Sequence, residues 1–259
     1  MGVVSCKVFN LEGKRVGRIR LPEIFETTLR PDVVKRAVVA IQSHRLQPQG
    51  RNPMAGKRTT AESWGVGHGM SRVPRLRELR RAAFAPGTVG GRLTHPPVTQ
   101  KKIRKKISKK ERRLALFSAI AATGSKETVG GRGHAVDDVP DFPLVVTEDI
   151  ESMRRTQDLK GVFIAIGVWP DVYRVRESVK VRAGKGKTRG RRRKMAVGPL
   201  IVISKNDGIV EAASNLPGVD VAFVKDLNAE LLAPGAHPGR LTVWTRSSIE
   251  ELRNWDGGI

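Results

Sequence analysis

The chain has 259 residues, with 48 Lys or Arg against 25 Asp or Glu and a formal net charge of +23. That length fits one sizeable domain with appendages or two small domains, and a hydrophobic fraction of 39% supplies one core but not burial throughout. So much like charge repels itself in water, so a polyanionic partner is the first expectation. A membrane surface fits less well, since no basic amphipathic helix carries a matching aromatic face, and no apolar run approaches the roughly 20 residues of a membrane span. Cys6 is the single cysteine, which rules out an intramolecular disulfide and points to a reducing compartment. The N-terminus lacks the charged-then-apolar order of a signal peptide, so a soluble cytoplasmic protein is expected.

In chain order, Val3 to Phe9 reads as a first strand with Val4, Cys6 and Val8 on one face, turned by Glu12-Gly13-Lys14 so that Val16 to Leu21 pairs back. Cys6 reads as a small buried apolar residue. Pro31 suits the first turn of a helix, whose apolar face would carry Val34, Ala37, Val38 and Ile41. A second helix is announced by the capping box Ser108-Lys-Lys-Glu111, with Leu114, Phe117, Ile120 and Ala121 on its apolar face and Gly124 as its stop. From His134 to Glu151 the charge reverses, through Asp137, Asp138, Asp141, Glu148, Asp149 and Glu151. Within that stretch Leu144-Val145-Val146 reads as a short buried strand, followed by a helix from about Ile150 to Ile166 with acids in its first turn. Leu200 to Ile203 reads as a core strand. Val210 and Ala213 then suit a helix, Val219 to Val224 a strand, Leu227 to Leu232 a helix, Leu241 to Trp244 a strand and Ser247 to Trp255 a closing helix. This alternation predicts an α/β domain with a mostly parallel sheet covered on both faces.

Between the first two helices lies a stretch that fits neither period. Residues 45–107 are dense in Gly and Pro, which stop regular structure from propagating. Glu62 and Glu78 are its only acids. A structureless loop of that length is out of place inside a compact domain, so the sequence predicts a globular part, residues 1–44 and 108–259, from which residues 45–107 leave as a long extended arm. A second basic segment spans residues 182–194: Arg182, Lys185, Lys187, Arg189, Arg191, Arg192, Arg193 and Lys194, with Gly184, Gly186 and Gly190 between them.

No catalytic pattern survives inspection. Gly184-Lys-Gly186-Lys187-Thr188 resembles the end of a phosphate-binding loop, but Val181 stands where the required first glycine should be. Gly65-Val-Gly67-His-Gly69 has its third glycine one residue too early for a dinucleotide fingerprint. No nucleophile elbow occurs. His44, His68, His95, His134 and His237 are not spaced to bind a metal. The acids of residues 137–151 read as loop and helix-end charges; a magnesium or catalytic pair there has no second motif behind it. No enzyme, cofactor or metal site is expected.

The two basic segments fit folded RNA better than sequence-specific DNA, because their Arg and Lys lie in extended Gly-rich and Pro-rich stretches and not on one recognition helix. The candidate phosphate contacts on the outward limb are Arg45, Arg51, Lys57 and Arg58. Past its far end they are Arg77, Arg80, Arg81 and Arg92. On the return they are Lys101, Lys102, Arg104, Lys105 and Lys106. Trp64, His68 and Phe84 offer planar faces for stacking, although Trp64 could equally pack against its own loop. Alone, such an arm is expected to be disordered and to fold on its partner.

Pro48-Gln-Gly50-Arg-Asn-Pro53, Ala61-Glu-Ser-Trp64-Gly-Val-Gly67, Arg72-Val-Pro74-Arg75 and Ser118-Ala-Ile-Ala-Ala122 together resemble the universal large-subunit ribosomal protein family L-four, in its archaeal and eukaryotic branch, and the length of the chain looks archaeal. The resemblance covers most of the chain. It implies a three-layer α/β/α domain on the subunit surface and a loop threading between helices of 23S-type rRNA to the peptide exit tunnel. Physically, an arm that neutralises phosphates where rRNA helices crowd and repel should also aid subunit assembly. The loop tip, opposite a loop of the L-twenty-two family, would help form the narrow part of the tunnel and meet the nascent polypeptide. Carried onto this sequence, the tip spans Gly69, Met70, Ser71, Arg72, Val73, Pro74 and Arg75, with Met70, Arg72 and Arg75 as candidates to face the lumen. The competing readings are a non-ribosomal RNA-binding assembly factor or regulator, and an enzyme built on the α/β domain.

Overall fold

The computed structural model describes residues 5–255, so Val3 and Val4 lie outside the described residues. In chain order the elements are β1 (Ser5–Phe9), β2 (Arg15–Arg20), α1 (Pro31–His44), α2 (Lys109–Thr123), α3 (Lys126–Gly131), β3 (Leu144–Val146), α4 (Thr156–Ala165), α5 (Trp169–Glu177), β4 (Lys180–Val181), β5 (Arg193–Lys194), β6 (Leu200–Ile203), α6 (Ile209–Ser214), β7 (Asp220–Phe223), α7 (Ala229–Leu232), β8 (Thr242–Thr245) and α8 (Arg246–Arg253). The six-stranded sheet is ordered β2-β1-β3-β8-β6-β7. Only the β1–β2 pair is antiparallel; the other four pairings are parallel. The chain divides into two units, residues 1–41 with 106–259, and residues 42–105.

The sheet is buried on both faces, as a mostly parallel sheet requires. Its strands alternate their side chains between two cores. Cys6, Val8, Val145, Leu200, Val202 and Trp244 join α1, α2, α7 and α8 on one side. Phe9, Leu144, Val146, Ile201, Ile203 and Val243 join α4, α5 and α6 on the other. Short runs such as Leu200–Ile203 are therefore apolar throughout and carry no period-two signal.

The helix expected from about Ile150 to Ile166 is in fact two elements: a 3-10 turn over Glu148–Ser152, and α4 beginning only at Thr156. Glu151 accounts for the break. Its buried carboxylate accepts from the backbone N–H of Ser204 at 3.1 Å and of Lys205 at 3.2 Å, and from the Ser247 hydroxyl at 2.7 Å. With that side chain committed to residues beyond β6 and at the start of α8, the backbone at Met153 and Arg155 is extended. The apolar face of α2 is also rotated from expectation. Ala115, Leu116, Ala119, Ile120 and Ala122 are buried, Phe117 and Ala121 are half-buried, and Leu114 is exposed. Small side chains let α2 approach closely, and the buried Ser118 hydroxyl accepts the Arg30 N–H at 2.7 Å. Half of the expected capping box forms: the Ser108 side chain accepts from the Glu111 N–H, while the Glu111 carboxylate takes Arg36.

One buried polar group holds the second core together. Asp171, in the first turn of α5, has no side-chain exposure. Its two oxygens accept from His134 Nδ1 at 2.9 Å, the Ala135 N–H at 3.0 Å and Arg174 Nε at 2.9 Å. Burial pushes its carboxyl up, but the hydrogen bonds from His134 and Arg174 outweigh burial and leave it below the usual carboxylate range. Stability from this group is thus fully present above the ordinary carboxylate pKa and is lost as pH falls through the depressed value. Asp171→Asn is expected to cost about 3–5 kcal/mol at neutral pH, as for one partner removed from a buried pair. In urea melts that cost should shrink on acidification below about pH 4. Cys6 is buried, donates to the Pro143 carbonyl at 2.8 Å and is pushed up to about 12 by burial and by Asp141. A thiol reagent at pH 8 should therefore leave native protein unlabelled and label it fully in denaturant.

Candidate nucleic-acid interface

Residues 42–105 hold fourteen Lys or Arg against Glu62 and Glu78. Among the described residues of this unit Ala83 is the only buried apolar side chain. Leu46, Met54, Val66, Leu79, Val89, Leu93 and Val98 are all exposed. A unit with no hydrophobic core has nothing to offset the entropy of ordering its backbone. Its strand-like pairing is confined to two isolated bridges, Glu62 to Arg75 and Arg75 to Ala82.

The arm nonetheless has a defined course. It doubles back on itself: the Arg51 N–H donates to the Pro97 carbonyl at 3.2 Å. Gly56, at φ +76°, lies so close to the returning limb that a Cβ would sit 2.5 Å from the Gly91 carbonyl. Only glycine meets both demands there. Nearer the tip, Glu62 and Arg75 exchange backbone hydrogen bonds at 2.9 and 3.2 Å, and the Ala83 N–H reaches the Pro74 carbonyl at 2.9 Å.

The side chains at the tip divide into two kinds. Arg75 is turned inward on its own loop, donating to the Arg80 carbonyl at 2.9 Å and to the Ser71 hydroxyl at 2.7 Å, with its Nε buried and, among the described residues, unpartnered. Ser63 donates to the Arg72 carbonyl at 2.9 Å. Met70 is half-buried and Arg72 is exposed. Trp64 is half-buried against its own loop, edge-on to His68 with ring centroids 5.9 Å apart and with the Arg80 guanidinium 6.0 Å from its ring. Arg92 lies over Phe84 at 5.6 Å. These stacks pre-order cations and planar rings together. Arg51, Lys57, Arg58, His68, Arg77, Arg80 and Arg81 are exposed, as are Lys101, Lys102, Arg104, Lys105 and Lys106, whereas Trp64 and Arg92 are half-buried. Arg77 makes a solvent-exposed ion pair with Glu62 at 3.3 Å.

The second basic segment is a small hairpin. β4 and β5 pair antiparallel, Lys180 opposite Lys194 and Val181 opposite Arg193. The Arg182 N–H extends the ladder to the Arg192 carbonyl at 2.9 Å, and the Ala196 N–H donates to the Ser178 hydroxyl at 2.8 Å. A 3-10 turn over Lys185–Arg189 closes the tip, ended by Gly190 at φ +80°. Arg182, Lys185, Lys187, Arg189, Arg191, Arg192, Arg193 and Lys194 are all exposed, and among the described residues none of them is in an ion pair. No carboxylate occurs in residues 178–196. The ribbon presents this charge on a paired backbone and not on a loose loop.

Arg132, His134 and Arg174 escape sequence reasoning altogether. They line one cleft with His237 in the larger unit. No local pattern links them, because α3 carries two glycines and α5 opens with Trp-Pro.

The comparisons bear on the whole chain. Residues 19–255 match the model of the ribosomal protein L4/L1 family. A relative from Archaeoglobus fulgidus called "Large ribosomal subunit protein uL4" is 53% identical over 252 residues, covering 97% of this chain and 99% of the relative. One of the same name from Methanosphaera stadtmanae is 49% identical over 250 residues, 96% of each chain. Another, from Saccharolobus islandicus, is 48% identical over 246 residues, 95% of this chain and 92% of the relative. With matches of this extent at half the positions, running through both the sheet and the coreless basic arm, the chain belongs to the ribosomal protein L4/L1 family.

Proposed function

We infer that the protein is a structural constituent of the large ribosomal subunit, holding 23S-type rRNA through its arm and its basic ribbon. The observation that carries this reading is the arm itself: fourteen cations, two acids and one buried apolar side chain in residues 42–105. Such a segment gains order from a polyanion that neutralises its charge and covers its exposed Leu and Val side chains. Relatives of the same length bear large-subunit names, and a ribosome supplies that polyanion in the cytoplasm. The role is one of binding and shape, with no catalytic step.

In this reading the exposed Arg and Lys of both limbs neutralise phosphates where rRNA helices crowd together, so the arm promotes assembly as it takes its place. The tip, residues 69–75, lines the narrow part of the peptide exit tunnel opposite the L-twenty-two family protein. Arg72, exposed, and Met70, half-buried, are the side chains offered to the nascent polypeptide. Arg75 serves the tip from within, since its guanidinium is committed to Arg80 and Ser71. The ribbon of residues 182–194 is a second, independent rRNA contact. Among the described residues no helix is long and apolar enough to cross a membrane.

Deleting Ser63 to Arg81 should leave a folded α/β unit that binds rRNA weakly through the ribbon, and subunits with an altered tunnel. Loss of the cooperative melt in that variant would mean that the segment belongs to the core. Replacing Arg191, Arg192 and Arg193 by Gln should flatten the dependence of log K on log salt by about 2–3, at roughly 0.7–0.9 for each phosphate no longer neutralised. The intact protein should sediment with large subunits in high salt at one copy each. Recovery mainly off the ribosome would favour a free assembly factor or regulator instead.

A further inference from the structure

A cleft of about 540 Å³ opens on the α/β unit, away from the sheet's two cores. One wall is α3 and residues 234–239. Gly239, at φ +93°, brings that segment so close that a Cβ would lie 2.6 Å from the Thr128 carbonyl oxygen. The Arg132 side chain fastens the wall by donating to the carbonyls of Pro234 and His237. The opposite wall is Arg174 of α5 with Ala196 and Val197, where Arg174 Nη2 donates to the Val197 carbonyl at 3.0 Å. His134 forms part of the lining.

Two guanidiniums, those of Arg132 and Arg174, lie at this cleft, and Arg174 is incompletely used. Asp171, the one carboxylate at its base, is fully buried and its two oxygens already accept from three donors. Because a carboxylate only accepts, His134 donates through Nδ1. Its ring is 2% exposed, and with the proton on Nδ1 the Nε2 of the neutral ring is an acceptor, not a donor. Among the described residues Arg174 Nη1 has no hydrogen-bond partner. Arg132 is held down to about 10 by burial and by the nearby charges of Arg240 and Arg174, so cations have been gathered here against their own repulsion. An anion would relieve that repulsion and take the unused Arg174 donor. The cleft is also continuous with the basic ribbon: Ser178, at the end of α5, bonds the Ala196 backbone just beyond Lys194.

We propose that this cleft seats an RNA backbone phosphate, a third contact in which the strand held by residues 182–194 runs on to Arg132 and Arg174. The proposal rests on the rRNA-binding reading above. RNA is favoured over an acidic protein segment because the cleft lies at the foot of a ribbon that carries eight cations and no acid.

The test uses the full chain and a large-subunit rRNA transcript, comparing Ala196→Glu with Ala196→Gln. Ala196 is half-buried on the cleft wall and only its backbone is engaged, so the pair differs in one carboxylate placed among the cations. Ala196→Glu is expected to bind about tenfold more weakly than Ala196→Gln at low salt, with a log K against log salt slope lower by about 0.7–0.9, the value of one phosphate contact. Both should melt alike. Equal affinity and slope for the two variants, with wild type binding normally, overturns this proposal alone. If wild type itself fails to bind the transcript, the rRNA reading falls together with it. If Ala196→Glu binds naked rRNA like Ala196→Gln yet enters subunits poorly, the cleft takes a protein carboxylate and the phosphate proposal is wrong.

Discussion

Positive charge far in excess of nearby carboxylates is the constraint on which the rest of this protein turns. Of 25 acids, two lie in residues 42–105 and none in residues 178–196. The remainder sit in the α/β unit, where several do structural jobs: Asp171 ties a loop to α5, Glu151 bonds the residues after β6 and the start of α8, and Asp220 pairs with the buried Arg240. Self-repulsion on this scale weakens any compact state of the basic segments. The consequence is a division between one part that folds by burying apolar surface and another that has almost no apolar core of its own.

The α/β unit makes that division tolerable. Four central strands with apolar side chains on both faces give a core that needs nothing from the arm. The basic ribbon stands on this base through α5, whose first turn is pinned by Asp171 and whose end leads straight into β4. A paired backbone leaves fewer backbone angles to be frozen by any ligand of the ribbon than a loose loop would. The same helix supplies Arg174 to the neighbouring cleft.

Much of this was legible in the sequence, and the failures have physical causes. Strand and helix alternation after Leu200 predicted the parallel sheet, because short runs such as Leu200–Ile203 and Leu144–Val146 are apolar without interruption. The arm announced itself through Gly, Pro and missing acids. The break before α4 was hidden because Glu151 looked like an ordinary first-turn acid, and only tertiary partners reveal its use. The face of α2 was misjudged because alanines at 115, 119 and 122 decide the docking, while the larger Leu114 and Phe117 drew attention. The cleft had no signature at all, since Arg132, His134 and Arg174 come together only in the folded chain, two of them through a buried carboxylate. Within the arm, Arg75 gave no hint that it would bond its own loop.

The close crossing of the two limbs at Gly56 and Gly91 has a bearing on how this arm can vary through time. Because the limbs are matched there and again where Arg51 meets Pro97, a residue inserted into one limb alone would throw both crossings out of step. Compensated changes, one per limb, would keep them aligned, and so would changes confined beyond Glu62 and Ala83, where the chain turns round. Growth and shrinkage in descendants should therefore collect at the far end of the arm, leaving the stem at constant length while the end is free to explore.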